Sequence, residues 1–532
     1  MQERESPLPA AAGEPLDPPG PRAAAPAALG AHAARGVRWS YLSALANVVL
    51  QIGLASVMAR LVGPQAYGLV AVGTVALRFA SYFSDLGIGS ALVQKRELER
   101  AEIRAAFASS LGVGALMYAL TFLAAPLAAA FFRMPDLTAV LRVLGLTVLV
   151  GAVGSTAQNL LRREMRFRAL AVIDLVSFAV GYGVVGIGLA LRGAGVWALV
   201  GSALTQAVLG RVLCFAAVRH PLALSFRWST VRPLYAFGSR VSLLGLMEFV
   251  GVNLDTLVIG RWAGPVALGF YNRGNMLAAL PMMQFTDAVA RVLLPTFGRL
   301  QDERERLRGG YLVSIALIAS VVIPLACGLA AASRELVLVV LGPSWIVAAG
   351  VMPFLAVAVC MEMLARFGAV LLEATARLNL KLAIQAGYMV LLVALFTAAA
   401  RLGLAARFGV AAYAAAWMCA MTVYHVAYSV ALSRVLGIGW REWGRVYGGA
   451  VLTGIVAGGA IHALSRLGSA ARMGAGWVLA AQIVAGATVL LLSLLVGPQR
   501  SARRLIAHRF SHLIGSAPRS ALATRLVAYA AR

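Results

Sequence analysis

From Val37 to about residue 497 the chain alternates long apolar stretches with short polar connections. Each stretch reaches the roughly 20 residues that a bilayer-spanning helix requires. The pattern predicts helices at 38–61, 66–92, 105–131, 139–161, 169–191, 194–218, 236–260, 266–296, 310–332, 346–372, 381–400, 406–433, 444–465 and 475–497. The expected class is an all-α integral membrane protein of about 14 transmembrane helices. Residues 1–36 are rich in Pro, Ala and Gly and hold neither an apolar run nor the apolar core of a secretory signal. They read as a disordered cytoplasmic tail, because such a composition buries too little surface to order itself.

The arginines test this reading independently. With the N-terminus placed inside, the predicted inner loops collect clusters: Lys95, Arg96, Arg100 and Arg104, then Arg162, Arg163, Arg166 and Arg168, and later Arg299, Arg304, Arg306 and Arg308. Arg377 with Lys381, and Arg434 with Arg441 and Arg445, continue the series. Predicted outer loops hold one or two each, as at Arg60, Arg192, Arg261 and Arg334. A missed helix would invert the alternation downstream, so the positive-inside rule predicts an even helix count with both termini cytoplasmic.

Composition agrees. The chain is 61% hydrophobic and 13% charged, with a mean hydropathy of +0.82, against roughly 45–50% apolar and about 25% charged for soluble domains. A net charge of +26 would suggest nucleic acid in a soluble protein. Here it belongs to loops facing the anionic leaflet, so the expected partners are membrane lipids and no nucleic acid. Cys214, Cys327, Cys360 and Cys419 all fall in apolar stretches without paired spacing, which argues against a disulfide framework or zinc site. No metal or other cofactor is expected.

The chain also repeats itself. Arg60, Gly63, Pro64, Ala66 and Gly68 recur 201 residues later as Arg261, Gly264, Pro265, Ala267 and Gly269, and Phe83-Ser84-Asp85 is echoed by Phe285-Thr286-Asp287. Six predicted helices separate the copies, so both run in the same direction, as in transporters built on parallel repeats. The expected division is a tail at 1–36, an N-lobe at 37–220, a linker at 221–235, a C-lobe at 236–437, two further helices at 438–497 and a basic cytoplasmic tail at 498–532.

The ordered runs ARLVGPQAYGLVAVG, FSDLGIGSALVQ, LLRREMRFRALA, GVWALV, NLDTLVIGRWAGPVALGFYNR and RVLLPTFGRLQDERERLR resemble the polysaccharide transporter (Wzx-like) family over roughly residues 37–380. That family belongs to the multidrug/oligosaccharidyl-lipid/polysaccharide exporter superfamily. The resemblance implies two six-helix bundles working by alternating access. It implies as substrate an undecaprenyl-diphosphate-linked oligosaccharide, flipped to the periplasmic leaflet of the bacterial inner membrane during exopolysaccharide or lipopolysaccharide assembly, with other polysaccharide-assembly proteins as partners.

Charges inside spanning helices are costly and mark candidate sites. Moving a diphosphate headgroup calls for cations, and Arg78, Arg273 and Arg366 are the candidates for it. Asp85, Glu248, Asp255 and Asp287 are candidates for a coupling proton or sodium ion. Asn47 and Gln51, one turn apart, suit sugar hydroxyls. Plain structural roles compete with each. Glu362–Arg366 and Asp287–Arg291, at four-residue spacing, suit neutralising pairs. Asp85 suits a helix end, Asn47 and Gln51 suit helix packing, and His425 suits a packed, hydrogen-bonded position. No phosphate-binding G-x-x-x-x-G-K-[ST] and no H-E-x-x-H motif occurs. The outer loops are too short for the catalytic loop of a membrane glycosyltransferase or polymerase. The leading expectation is a flippase rather than an enzyme, with a drug or metabolite exporter of the same fold as the alternative.

Overall fold

The structure is a computed structural model that describes residues 50–85, 100–218, 249–299 and 303–495. Asn47, Glu248, the linker at 221–235 and the tails at 1–36 and 498–532 lie outside the described residues. Within them the chain is helical throughout, and no strand occurs among the described residues. Lipid offers backbone groups no partner, so each segment must satisfy its own N–H and C=O groups, and helices do so.

The long helices are α1 (Leu50–Leu61), α2 (Pro64–Asp85), α3 (Arg100–Phe132), α4 (Leu137–Arg163), α5 (Phe167–Leu191), α6 (Val196–Ala217), α7 (249–262), α8 (Gly264–Arg299), α9 (Arg304–Ala331), α10 (Ile346–Ala374), α11 (Leu378–Arg401), α12 (Val410–Leu436), α13 (Trp440–Ala470) and α14 (Ala475–Leu495). Ten of the described helices are long and apolar enough to cross a bilayer. The helices α2 and α8, which carry Arg78 and Arg273, are not in that set.

Glycine and proline end the helices where the sequence places them. Gly264 takes a left-handed φ of +80° between α7 and α8, and Pro265 sits at the start of α8, where its missing N–H leaves no bond unmade. Three features were not expected from the apolar pattern. A short helix Ser333–Val340 and a 3-10 turn Pro343–Trp345 separate α9 from α10. The predicted helix 406–433 is two elements, because Gly409 (φ +59°) breaks Leu404–Phe408 from α12. In α5, the segment Ala179–Gly186 widens into a π-helix, a feature that frequently accompanies functional sites.

The packing repeats as the sequence does. α2 packs on α3 and α4, α3 on α4, and α4 on α6; six helices later α8 packs on α9 and α10, α9 on α10, and α10 on α12. Two parallel-repeat lobes result, and α2 meets α8 between them. α13 lies along α9, where Gly454 has room only for hydrogen against the Cys327 sulfur and Gly458 packs against the Cys327 backbone, and α14 packs on α13. The largest buried cluster is centred on α8–α13, around Ile315, Met363, Phe396 and Leu432, and reaches α2, α3, α4 and α7 through Val72, Phe132, Leu141 and Ile259.

Candidate functional site

The two copies of the Gly-Pro motif meet each other. A Cβ on Gly68 would overlap the carbonyl of Pro265, and a Cβ on Gly269 would overlap the carbonyl of Pro64. The contact is reciprocal, as a twofold relation between the lobes demands, and it needs glycine at both positions because backbone touches backbone. Around it the lobes are stitched by polar bonds. Arg60 donates to the Val339 carbonyl, Ser56 to the Val340 carbonyl, and Trp345 Nε1 to the Ala59 carbonyl at 2.8 Å. Arg261 sets its guanidinium 5.5 Å from the centre of the Phe131 ring. Met58, Val62 and Tyr67 of one lobe and Val337, Leu341, Trp345 and Met352 of the other complete a dry plug. This end of the inter-lobe space is closed.

Arg273 lies beneath the plug. It stands nine residues into α8, about 14 Å along the helix from its start at 1.5 Å per residue. Its guanidinium stacks over the Tyr67 ring at 4.0 Å, so a cation of the second lobe rests on an aromatic face of the first. Nη1 contacts the Met276 sulfur at 3.0 Å, and the buried Nε has no hydrogen-bond partner. Among the described residues no carboxylate pairs with Arg273. This half-buried cation has no paired carboxylate, so the position favours any anion that reaches it.

Arg78 occupies a different place. It lines a cavity of 350 Å³ inside the first lobe, together with Arg211 of α6 and Asp174 of α5. Gln158, Ser177 and Gln206 contribute hydrogen-bonding groups to its wall. Gly154 of α4 has only a hydrogen where the stem of Arg211 crosses it, and the Arg211 head donates to the Gln158 amide oxygen. Tyr182, on the π segment of α5, lines the same cavity and packs against the plug that contains Tyr67. The cavity thus adjoins the plug through Tyr182, and it holds two arginines against one carboxylate.

Arg366 is separated from both. It lies in the second lobe and is paired with Glu362 at 3.4 Å, at the four-residue spacing that suits a neutralising pair. Asp255 of α7 is buried in that lobe, accepting from the Tyr271 hydroxyl at 2.7 Å and the Thr256 backbone N–H at 2.6 Å. Tyr388 accepts from Trp417 Nε1 at 3.2 Å beside it, and Tyr271 packs edge-on against Trp417. Asp85 and Asp287 fall within α2 and α8, where only the backbone is described. Gln51 is exposed on α1. His425 is buried on α12 and hydrogen-bonds Tyr447 of α13 at 3.0 Å.

The three arginines expected to share a diphosphate are thus not one cluster. Arg78 lines the first-lobe cavity, Arg273 lies on Tyr67 at the lobe junction, and Arg366 is paired with Glu362 in the second lobe. Reasoning from sequence passed over Arg211, although an arginine in an apolar helix was the very signal applied to its neighbours. It passed over Tyr67 and Tyr182 as well, and no residue type or spacing marks them before the lobes are assembled.

Comparison with known proteins places this geometry. Residues 57–350, more than half of the chain, match the protein family described as "Polysaccharide biosynthesis protein". The chain is 25% identical to the teichuronic acid biosynthesis protein TuaB of Bacillus subtilis, over 60% of this chain and 67% of that one. It is 26% identical to the lipopolysaccharide biosynthesis protein WzxC of Escherichia coli, over 58% and 63%. It is 29% identical to the succinoglycan biosynthesis transport protein ExoT of Rhizobium meliloti, over 60% and 65%. The matched region thus spans about two thirds of the length of these relatives. In fold the chain is similar to the lipid II flippase MurJ in an inward closed conformation, with a TM-score of 0.67 and 11% identity over 89% of this chain and 99% of that one. It is also similar to an inward-facing multidrug resistance MATE family transporter, with a TM-score of 0.54 and 16% identity over 73% and 95%.

Proposed function

This chain belongs to the polysaccharide biosynthesis protein family, and on that premise we propose that it is a flippase carrying an undecaprenyl-diphosphate-linked oligosaccharide across the bacterial inner membrane by alternating access. The observation that carries the reading is Arg273: a half-buried cation at the junction of the lobes, held by a tyrosine face rather than by a carboxylate. A diphosphate supplies the missing anion. Its two charged groups require more than one cation, and Arg78 and Arg211 in the neighbouring cavity serve the second. Arg366, already paired with Glu362, is assigned the weaker part. Gln158 and Gln206 line this cavity, and their amides suit sugar hydroxyls.

Flipping requires the plugged end to open while the other closes. The plugged end is read as periplasmic from the arginine distribution, with both termini in the cytoplasm. Of the four acids proposed for ion coupling, Asp255 has the described geometry: buried, bonded to a tyrosine of α8, and therefore placed to report its charge state to the helix that bears Arg273. A proton or a sodium ion would serve that site. The reading involves no catalytic step.

The test is genetic and chemical. Deleting the gene should leave complete lipid-linked oligosaccharide at the cytoplasmic face and remove the surface polymer. Arg273→Ala should reproduce that loss at normal membrane abundance. Unchanged glycolipids with altered drug tolerance would replace this reading with the exporter, and truncated oligosaccharides would point to an enzyme.

A further inference from the structure

A second cationic feature lies far from the lobe junction. A cleft of 1120 Å³ opens between the α10–α11 turn, the start of α9 and the end of α12. Three arginines from three elements line it: Arg304 in the first turn of α9, Arg377 at the N-cap of α11, and Arg434 in the last turn of α12. The rest of its wall is largely apolar, with Leu380, Ile384 and Val430.

The pairing of charges singles these arginines out. Neighbouring cations on the same face are neutralised: Arg306 by Glu303, Arg308 by Glu305 and Glu442, and Lys381 by Glu373. Among the described residues no carboxylate pairs with Arg304, Arg377 or Arg434, and no acid lines the cleft. The N-terminus of α11 also opens here with no side chain bonded to its first N–H groups, which adds donors for an anion. Three convergent guanidinium groups match phosphate oxygens, and the apolar wall matches hydrocarbon.

The cleft has a counterpart in the first lobe. Met165 in the α4–α5 turn and Ala376 in the α10–α11 turn share a φ of +55°, and each precedes an N-cap arginine, Arg166 or Arg377, of nearly equal backbone angles. A smaller cleft of 680 Å³ lies beside the first turn, lined by Arg166, Arg168, Val172 and Leu213. There, however, Arg166 is already engaged by the Ala217 carbonyl at 3.0 Å and by Glu164 at 3.5 Å. The duplication predicts one scaffold with two different strengths.

We propose that the cleft at Arg304, Arg377 and Arg434 binds the phosphate headgroup of an anionic membrane phospholipid, with the start of its acyl chains along Leu380, Ile384 and Val430. It lies on the face that the arginine distribution assigns to the cytoplasm. The lipid holds α9, α11 and α12 at one end of the second lobe.

The test uses the purified full chain in detergent, titrated with phosphatidylglycerol, phosphatidylcholine or inorganic diphosphate and read by native mass spectrometry. Wild type should prefer phosphatidylglycerol over phosphatidylcholine, and inorganic diphosphate should compete weakly because it cannot use the apolar wall. The triple variant R304Q/R377Q/R434Q should lose that preference by roughly tenfold or more, whereas R166Q/R168Q should change it by less than about threefold. Single R377Q and R434Q variants, each expected to show a partial loss, carry the test should the triple variant fail to fold. Retained preference in the triple or both single variants would overturn the proposal. So would diphosphate binding as tight as that of phosphatidylglycerol, because the cleft would then recognise bare phosphate.

Discussion

Replacing Gly269 by alanine is the sharpest perturbation that the structure offers. The new Cβ would lie 2.7 Å from the Pro64 carbonyl carbon and 3.1 Å from its Cα, besides overlapping the carbonyl oxygen. Carbon atoms in contact rest about 3.5–4.0 Å apart, so α2 and α8 must part by roughly 1 Å at this end. Neither neighbour is a side chain that can swing aside. Overpacking of this kind costs about 1–3 kcal/mol, and at 1.4 kcal/mol per tenfold the closed end loses about 5- to 150-fold in population against any state in which the helices stand apart. The penalty falls on the closed end alone. Gly68→Ala, its mate across the junction, should act the same way, and the double variant should do little more than either, because one parting relieves both clashes. Gly63→Ala, in the same motif but with open space around it, is the control. The assay is labelling of a Val62→Cys reporter in the plug, in a background without native cysteine, by a membrane-impermeant maleimide added to whole cells and to inside-out vesicles. Labelling from one side should rise at least fivefold in Gly269→Ala and stay at the parent level in Gly63→Ala. Equal labelling in all three backgrounds would refute the idea that the repeated motif is the closure.

Other consequences are smaller. Tyr67→Phe keeps the aromatic face under Arg273 and should preserve export, whereas Tyr67→Leu forfeits about 1–2 kcal/mol of cation–π attraction and should fail in the same complementation assay; equal performance would remove the ring from the mechanism. Trp345→Phe deletes the bond to Ala59 while keeping most of the packing, so the Val62→Cys reporter should gain accessibility by about fivefold for a loss near 1 kcal/mol. Glu335 is buried and accepts from Ser465 of α13 at 2.6 Å and from Gln482 of α14 at 3.5 Å. Glu335→Ala removes the partner of Ser465 and leaves Gln482 with only the Ile461 carbonyl at 3.3 Å, a loss of about 1–3 kcal/mol; a lowered melting temperature in detergent should follow, with α13 and α14 more accessible to protease. A melting curve identical to wild type would show that these helices are held to the second lobe by apolar packing alone.

What was readable in one dimension was whatever lipid and chain length impose on each segment separately. A stretch such as 139–161 must be helical because nothing else satisfies its backbone in hydrocarbon, and it is: α4 runs Leu137–Arg163. The repeat was readable because Gly-Pro and its flanking glycine survive as letters, whereas the matching turns at Met165 and Ala376 share a backbone angle and not a residue type. The spacing of Glu362 and Arg366 also sufficed, since partners one turn apart on one helix need no tertiary information. Partnership between helices did not follow. Whether Arg78 meets Arg273, whether Arg211 matters, and what covers Arg273 depend on the rotation and depth at which α2, α5, α6 and α8 are packed. Hydrophobic length sets that a helix crosses the membrane and leaves its azimuth free. The azimuth is decided by close contacts such as Gly68 on Pro265 and Gly154 under Arg211, where the absence of one methyl group lets two helices touch.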